Sequence, residues 1–385
     1  MQKNHEHSLV FYRKYRPQKF SEFINQETVK KTLQNTLLLN KISHAYLFAG
    51  VRGTGKTTMA RLFAKTLNCL NPTTESNSGG KATSGEPSRT IEPCNQCDAC
   101  REINSGRSVD LIEIDAASNR GIDEIRDLKE GIRFSPVKAK YKVFIVDEAH
   151  MLTPAAFNAL LKTLEEPPEH AIFILATTEP EKLLPTILSR VQRFDFKRLP
   201  VNEIAKKLKN ISEKESFEID EPALKAIARS AGGSIRDAES ILSQIVAFSF
   251  DKKITLNEVE SVLGTVRFGK IKDFLGFLAE NELEQSIRFI NNLQNEGYQL
   301  HEVMKLVIGF LEKTLLLKLD VNQEESLKSE FNQEEIEALK QLAQIFEAQK
   351  LKTLLKEFML ALPSVKKAVI PSLPIELVII ETLSK

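Results

Sequence analysis

The chain has 385 residues, 42% of them hydrophobic, which is enough for two or three domains with real cores. Its 53 basic and 52 acidic residues leave a formal net charge of +1, which excludes a surface that grips nucleic acid along its whole extent and confines any such contact to a local patch, shared with partner subunits. Met1–Ser8 is polar and lacks the apolar core of a signal peptide, and no apolar run reaches membrane-spanning length, so a cytoplasmic protein without membrane contact is expected.

In chain order, the first strong element is the apolar run Ala45–Ala49, which predicts a buried strand. Gly50-Val51-Arg52-Gly53-Thr54-Gly55-Lys56-Thr57 follows, a complete G-x-x-x-x-G-K-[ST] loop, and Thr58–Ala64 then reads as a helix. All four cysteines come next, Cys69, Cys94, Cys97 and Cys100. Residues 71–92 between them are rich in Ser, Thr, Gly and Pro, and predict a mobile inserted loop. Three more strand-like runs follow at Leu111–Ile114, Val143–Val146 and Ile172–Ala176. Helical patterns separate these four runs, implying an α/β fold with a parallel sheet covered on both faces. Thr153 with Pro154 starts a helix whose Phe157, Leu160, Leu161 and Leu164 fall at helical spacing, a core stripe that Pro167-Pro168 stops. After about residue 198 the chain is helical: 202–216, 221–231, 234–250, Leu256–Leu263, then a block from Phe268 to the end, with Gly264 as a hinge between two helical units. No internal repeat is present.

The loop after the first strand points to a nucleoside triphosphate. Gly53 and Gly55 let the backbone curl so that its amides face the β- and γ-phosphates. Lys56 places a charge on those phosphates, and Thr57 offers a hydroxyl to magnesium. Asp147, at the end of the third strand, can hold the same magnesium through water, and Glu148 beside it can act as general base on an attacking water. A hydroxyl from Thr177-Thr178 at the end of the fourth strand lies where it could orient that water. Arg190, after the Pro-Thr-Ile-Leu helix, and Arg236, off the core face at a helix start, read equally well as structural or functional groups. The four clustered thiols of a cytosolic chain suit one tetrahedral zinc rather than disulfides, and a closed four-thiolate shell is structural rather than catalytic. Any local nucleic-acid contact is assigned to Arg120 and Arg126, flanking the turn after the second strand, beside helix N-termini that hold phosphate without full charges.

Taken together these segments resemble the gamma/tau subunits of bacterial DNA polymerase III, the ATPases of the clamp loader. The residues that carry the resemblance are Tyr12-Arg13-Lys14-Tyr15-Arg16-Pro17, His44–Phe48 leading into the loop, the cysteine cluster, Asp115–Ser118, Val146–Leu152, Asn158–Pro168, Leu175–Thr178, Ile187–Arg190, Gly233–Ala238 and Leu373–Leu377. The resemblance implies an AAA+ module over 1–198 with a zinc module at 69–100, a small helical lid over 199–264, and a helical collar over 265–385 that assembles the ring. It implies that Gly50–Thr58 bind ATP, that Thr178 is the first sensor, that Arg236 is a second sensor touching the γ-phosphate, and that Arg190 reaches a neighbour's ATP in trans. Tyr15, Arg16 and Pro17 would seat adenine. It further implies delta-type and delta-prime-type partners in a five-membered ring, a sliding clamp opened on ATP binding, and primer–template DNA that triggers hydrolysis and release at replication forks on the nucleoid. It also places the chain in a DNA-directed DNA polymerase holoenzyme, without a polymerase site of its own.

Three departures from the family pattern stand out. Val191 replaces the cysteine common after the Ser-Arg pair, the 69–94 loop is longer than usual, and the chain ends at Lys385 without the tail through which the longer form binds helicase and polymerase. Two rival readings remain: another AAA+ DNA machine such as a branch-migration helicase, against which the cysteine cluster speaks, and a non-catalytic scaffold subunit of the delta-prime kind, against which the intact loop and Glu148 speak. The zinc module as a nucleic-acid finger fits poorly, because its loop has few basic or aromatic residues.

Overall fold

The computed structural model describes residues 10–77, 88–119, 130–249, 253–264, 266, 268–320, 327–328, 331 and 333–383. The chain divides into two compact units, one comprising Met1–Glu203 with Gly232–Ser240, the other Ile204–Ala231 with Ile241–Lys385. Among the described residues, no helix is long and apolar enough to cross a membrane.

The strands of the first unit are β1 (Ala45–Gly50), β2 (Thr73–Asn77), β3 (Ser88–Glu92), β4 (Leu111–Asp115), β5 (Lys142–Asp147), β6 (Ala171–Thr177) and β7 (Gln192–Phe196). Its helices are α1 (Phe11–Lys14), α2 (Glu27–Leu38), α3 (Lys56–Leu67), α4 (Asp98–Asn104), α5 (Pro154–Glu165) and α6 (Pro185–Leu188). Five strands form one parallel sheet in the order β4-β5-β6-β1-β7. Successive residues of a strand face opposite sides, so strands covered on both faces read as unbroken apolar runs. Leu47, Phe144, Val146, Phe173 and Leu175 pack on one side with Phe157, Leu160 and Leu164 of α5. Tyr46, Phe48, Val143, Ile145 and Ile174 pack on the other with Leu33 of α2 and Met59 and Phe63 of α3. Thr153 caps α5 as its sequence predicts, accepting from the Ala156 amide at 3.3 Å.

Two expectations need correction. The sheet has a fifth strand, β7, that the apolar pattern did not announce: it is an edge strand in which only Phe194 and Phe196 are buried. One covered face asks for only two apolar residues, too few to stand out. Residues 71–92 are not a loop throughout, since β2 and β3 pair antiparallel from Thr73↔Glu92 to Asn77↔Ser88. A polar ribbon is held by its backbone ladder and leaves no hydrophobic signature; residues 78–87 lie outside the described set.

The second unit is helical: α7 (Val201–Glu215), α8 (Glu221–Ser230), α9 (Ile235–Phe248, whose start belongs to the first unit), α10 (Leu256–Leu263), α11 (Phe268–Ala279), α12 (Leu283–Asn295), α13 (Leu300–Leu319), α14 (Gln333–Ile345), α15 (Ala348–Lys367) and α16 (Leu373–Leu383). A two-residue parallel ladder, β8 (Glu218–Ile219) with β9 (Lys253–Ile254), ties its first part together. A capping box of Thr255 and Glu258 opens α10, and Gly264 closes it in the left-handed region at φ 58°. Helices α11–α16 share one core that includes Phe274, Leu311, Leu339, Phe358 and Ile379.

Candidate nucleotide site and cysteine knuckle

The phosphate loop joins β1 to α3 at the carboxyl end of the sheet. Its two inner glycines are required by conformation and by contact. Gly53 has φ +77°, and a Cβ there would lie 1.8 Å from Ser234 Oγ; Gly55 has φ +99°, and a Cβ would lie 2.4 Å from Phe23 Cζ. The loop is thus wedged between Phe23 and the start of α9, where the Ile235 amide donates to Gly53 O at 3.1 Å. Gly55 caps α3 without a side-chain acceptor, which leaves the first-turn amides for an anion. Lys56 is 5% exposed, and its Nζ donates to Gly50 O at 2.7 Å and Val51 O at 3.0 Å. Burial holds its ammonium below the usual lysine range, against the pull of Glu148 and Asp147.

Because β6 lies between β1 and β5, the ends of these three strands bring the remaining groups together. Thr57 Oγ1 donates to Asp147 Oδ2 at 2.7 Å, so the two expected magnesium ligands are in direct contact. Glu148 sits in the left-handed region at φ 47°, a conformation unusual for a non-glycine residue, and its amide donates to Asp147 Oδ1 at 3.0 Å. Thr178 Oγ1 donates to Glu148 Oε2 at 3.2 Å. Sequence reasoning passed over His150, whose nearly buried ring lies 3.0 Å (Nδ1) from Thr177 Oγ1, 3.6 Å (Nδ1) from Glu148 Oε2 and 3.2 Å (Nε2) from Glu179 Oε1. Nothing but its place two residues after Glu148 could have signalled it.

On the other side of α3, Arg16 and Pro17 line a cavity of about 380 Å³ together with Arg13, Gln18, Thr58 and Arg61. Burial, and then Arg61, hold Arg16 below the usual arginine range. Tyr15 does not line this cavity; its ring meets Phe11 edge-on at 6.0 Å. Nearby in sequence, the Tyr12 ring lies 4.9 Å from the Arg236 guanidinium. Arg236 is exposed at the start of the helix whose Ser234 touches the loop. Arg190 is not drawn toward the phosphate loop: its guanidinium donates to Thr186 O at 2.8 Å and pairs with Glu165 at 2.9 Å. Arg120 and Arg126 lie outside the described residues.

The four cysteines form a second site. Their sulfurs all lie within 4.8 Å of one another. A tetrahedral zinc with Zn–S near 2.3 Å holds its sulfurs about 3.8 Å apart, so small shifts suffice. The surrounding backbone suits thiolates: the Cys94 amide points at Cys69 Sγ at 3.3 Å, and the Gln96 and Cys97 amides point at Cys94 Sγ at 3.4 and 3.3 Å. Burial opposes ionisation of Cys94, but those two amides together with the Cys69 and Cys97 side chains lower the thiol to about 6, whereas burial pushes the Cys69 and Cys100 thiols up. The donor set therefore fits a soft divalent ion.

A parallel sheet with the phosphate-loop strand next to a threonine-ended strand, an Asp-Glu strand beyond that, and a helical unit following it defines a P-loop ATPase module of the AAA+ class. Three family models cover most of the chain: DNA polymerase III, delta subunit, over residues 25–200; DNA polymerase III clamp loader subunit, ATPase lid domain, over 203–251; and DNA polymerase III subunits gamma and tau domain III over 254–384. The DNA polymerase III subunit tau of Bacillus subtilis is 44% identical over 309 residues, covering 80% of this chain and 52% of that protein. The subunit tau of Escherichia coli is 42% identical over 310 residues, covering 80% of this chain and 46% of that protein. The chain belongs to the gamma/tau family of DNA polymerase III subunits, and the aligned part spans about half the length of these relatives. Among solved structures, the Thermotoga maritima RuvB Holliday junction branch migration motor is similar with a TM-score of 0.46 at 18% identity, over 69% of this chain and 80% of that one, a likeness too low to bear on function.

Proposed function

We propose that the chain is an ATP-hydrolysing motor subunit of a clamp loader, using ATP binding to open a sliding clamp and place it on primer–template DNA, and hydrolysis to release it. The observation that carries this reading is the pair of contacts Thr57–Asp147 and Thr178–Glu148, set beside an intact phosphate loop. In this reading the Gly50–Thr58 backbone and Lys56 hold the phosphates, and Thr57 and Asp147 hold magnesium. Magnesium, when bound, neutralises charge on the phosphates. Glu148 takes the proton of the attacking water, while Thr178 keeps its carboxylate turned toward that water. Arg236 touches the γ-phosphate, Arg190 acts on a neighbour's ATP, and Tyr15, Arg16 and Pro17 form the adenine side. Arg120 and Arg126 are the proposed DNA contacts.

The wider assignment keeps the same standing. It comprises a five-membered ring with delta-type and delta-prime-type subunits, cytoplasmic at replication forks, and a place in a polymerase holoenzyme without a polymerase site of this chain's own. The cysteines hold one structural zinc. The division into 1–198, 199–264 and 265–385 belongs to the same proposal; the family matches break close to its first boundary, between 200 and 203, whereas their second break, between 251 and 254, falls before residue 264. The test is ATP turnover, alone and with clamp, primer–template and partner subunits. Glu148→Gln should keep a fluorescent ATP analogue bound and lose about 10²–10⁴-fold in turnover. Normal turnover in the variant removes Glu148 as base, and absence of stimulated turnover in the wild type favours a non-catalytic scaffold.

A further inference from the structure

The nucleotide chemistry leaves the cysteine knuckle without a task, yet side chains from within and beside it reach the segment that walls the candidate nucleotide pocket. Glu92, 5% exposed and two residues before Cys94, accepts from the Phe20 amide at 2.6 Å and the Ser21 amide at 2.8 Å. It thereby caps the single turn of 3₁₀ helix at Phe20–Glu22. The next residue, Phe23, puts its ring against Gly55 of the phosphate loop. Asn95, between two of the cysteines, donates from Nδ2 to Gln18 O at 3.2 Å. Lys65, on α3, is 2% exposed and has no carboxylate partner among its hydrogen bonds. Its three donors go to Gln18 Oε1 (2.8 Å), Asn95 Oδ1 (2.7 Å) and Asn104 Oδ1 (2.9 Å), which saturates the ammonium with amide oxygens. One buried cation thus joins the phosphate-loop helix, the pocket wall, the knuckle and α4.

We propose that the metal-bound knuckle is a positioning device for the nucleotide pocket: Glu92 and Asn95 hold residues 16–23 against the phosphate loop, and Lys65 ties that clamp to α3. The inference rests on the nucleotide-site reading above. Its physical content is preorganisation. A wall already held in place costs less to order when the nucleotide binds, so affinity depends on the knuckle although no cysteine touches the ligand. Binding coupled in this way is reciprocal, so nucleotide must tighten zinc by the same factor by which zinc tightens nucleotide.

Asn95→Gly is the discriminating variant, because Asn95 has φ 59°, where glycine is unstrained, so the amide is removed without disturbing the turn. Full-length wild type, Asn95→Gly and Lys65→Met are compared by titration with a fluorescent ATP analogue, elemental zinc content, thermal midpoint and hydrogen exchange at the Phe20 and Ser21 amides. Asn95→Gly should keep its zinc, lower the thermal midpoint by only a few degrees for the one lost acceptor of Lys65, exchange faster at those two amides, and bind the analogue about tenfold more weakly, the scale of one charge-assisted hydrogen bond. Zinc extraction by a chromophoric chelator should need more chelator when a slowly hydrolysed ATP analogue is present. Unchanged affinity in Asn95→Gly, with a nucleotide-independent zinc affinity, overturns the proposal and leaves the nucleotide site standing. A wild type that binds no nucleotide overturns both.

Discussion

Arg190 tests whether hydrolysis is built from two chains. In this chain the guanidinium is parked on Glu165, an ion pair whose side chains are 34% and 48% exposed. A pair so open to water is worth about 0.2–1 kcal/mol. Releasing it therefore reduces the availability of Arg190 by no more than about fivefold. Arg190→Ala should accordingly leave the thermal midpoint within about 2–4 °C of wild type. A finger delivered to a neighbour's γ-phosphate is worth about 10³–10⁵ in rate, so turnover in the assembly should collapse while nucleotide affinity at the chain's own loop is kept. Glu165→Ala gives the complementary result, a rise of at most about fivefold. The assay is phosphate release from mixtures of Arg190→Ala and Lys56→Ala chains, each inactive alone, with mixed assembly shown independently. Interfaces that pair an intact loop with an intact arginine should recover activity. Mixed assemblies without recovery would refute a trans role and make Arg190 structural.

The remaining expectations concern the loop and the knuckle. Lys56→Ala removes the phosphate charge and should abolish binding in a fluorescent ATP titration; wild-type affinity in that variant would overturn the loop assignment. Gly53→Ala should destabilise the first unit and its nucleotide binding by about 2–5 kcal/mol, from left-handed backbone strain of about 1–2 and overpacking of about 1–3 against Ser234. Adding Ser234→Gly should recover the overpacking share alone in thermal unfolding, and full recovery would show that backbone strain at Gly53 is absent. Elemental analysis should find about one zinc per chain, and serine at Cys69, Cys94, Cys97 or Cys100 should lower its retention while turnover at saturating ATP survives. A metal-free preparation with four titratable thiols would dispose of the zinc reading.

Much of the site was legible because its chemistry is local in sequence. The loop from Gly50 to Thr57 carries its own geometry, since turn, lysine and hydroxyl are contiguous and follow a buried strand. Asp147-Glu148 was readable for the same reason: an unbroken apolar run placed them at a strand end. The cysteines were readable because three of them share one turn-rich stretch. What the sequence could not settle was which distant segments meet. Strand order places Thr178 on Glu148, and that order is decided by packing over the two faces of the sheet. Edge strand β7 stayed hidden because one covered face needs only Phe194 and Phe196. The wedge of Phe23 and Ser234 on the loop glycines, the stacking of Arg236 on Tyr12, and the convergence of Lys65, Gln18, Asn95 and Asn104 join residues from about 30 to more than 200 positions apart. No periodicity encodes those meetings. They arise when the β1–α3 unit, the N-terminal segment and the knuckle compete for one face of the sheet, and burial lets only one arrangement satisfy both the apolar surfaces and the buried ammonium.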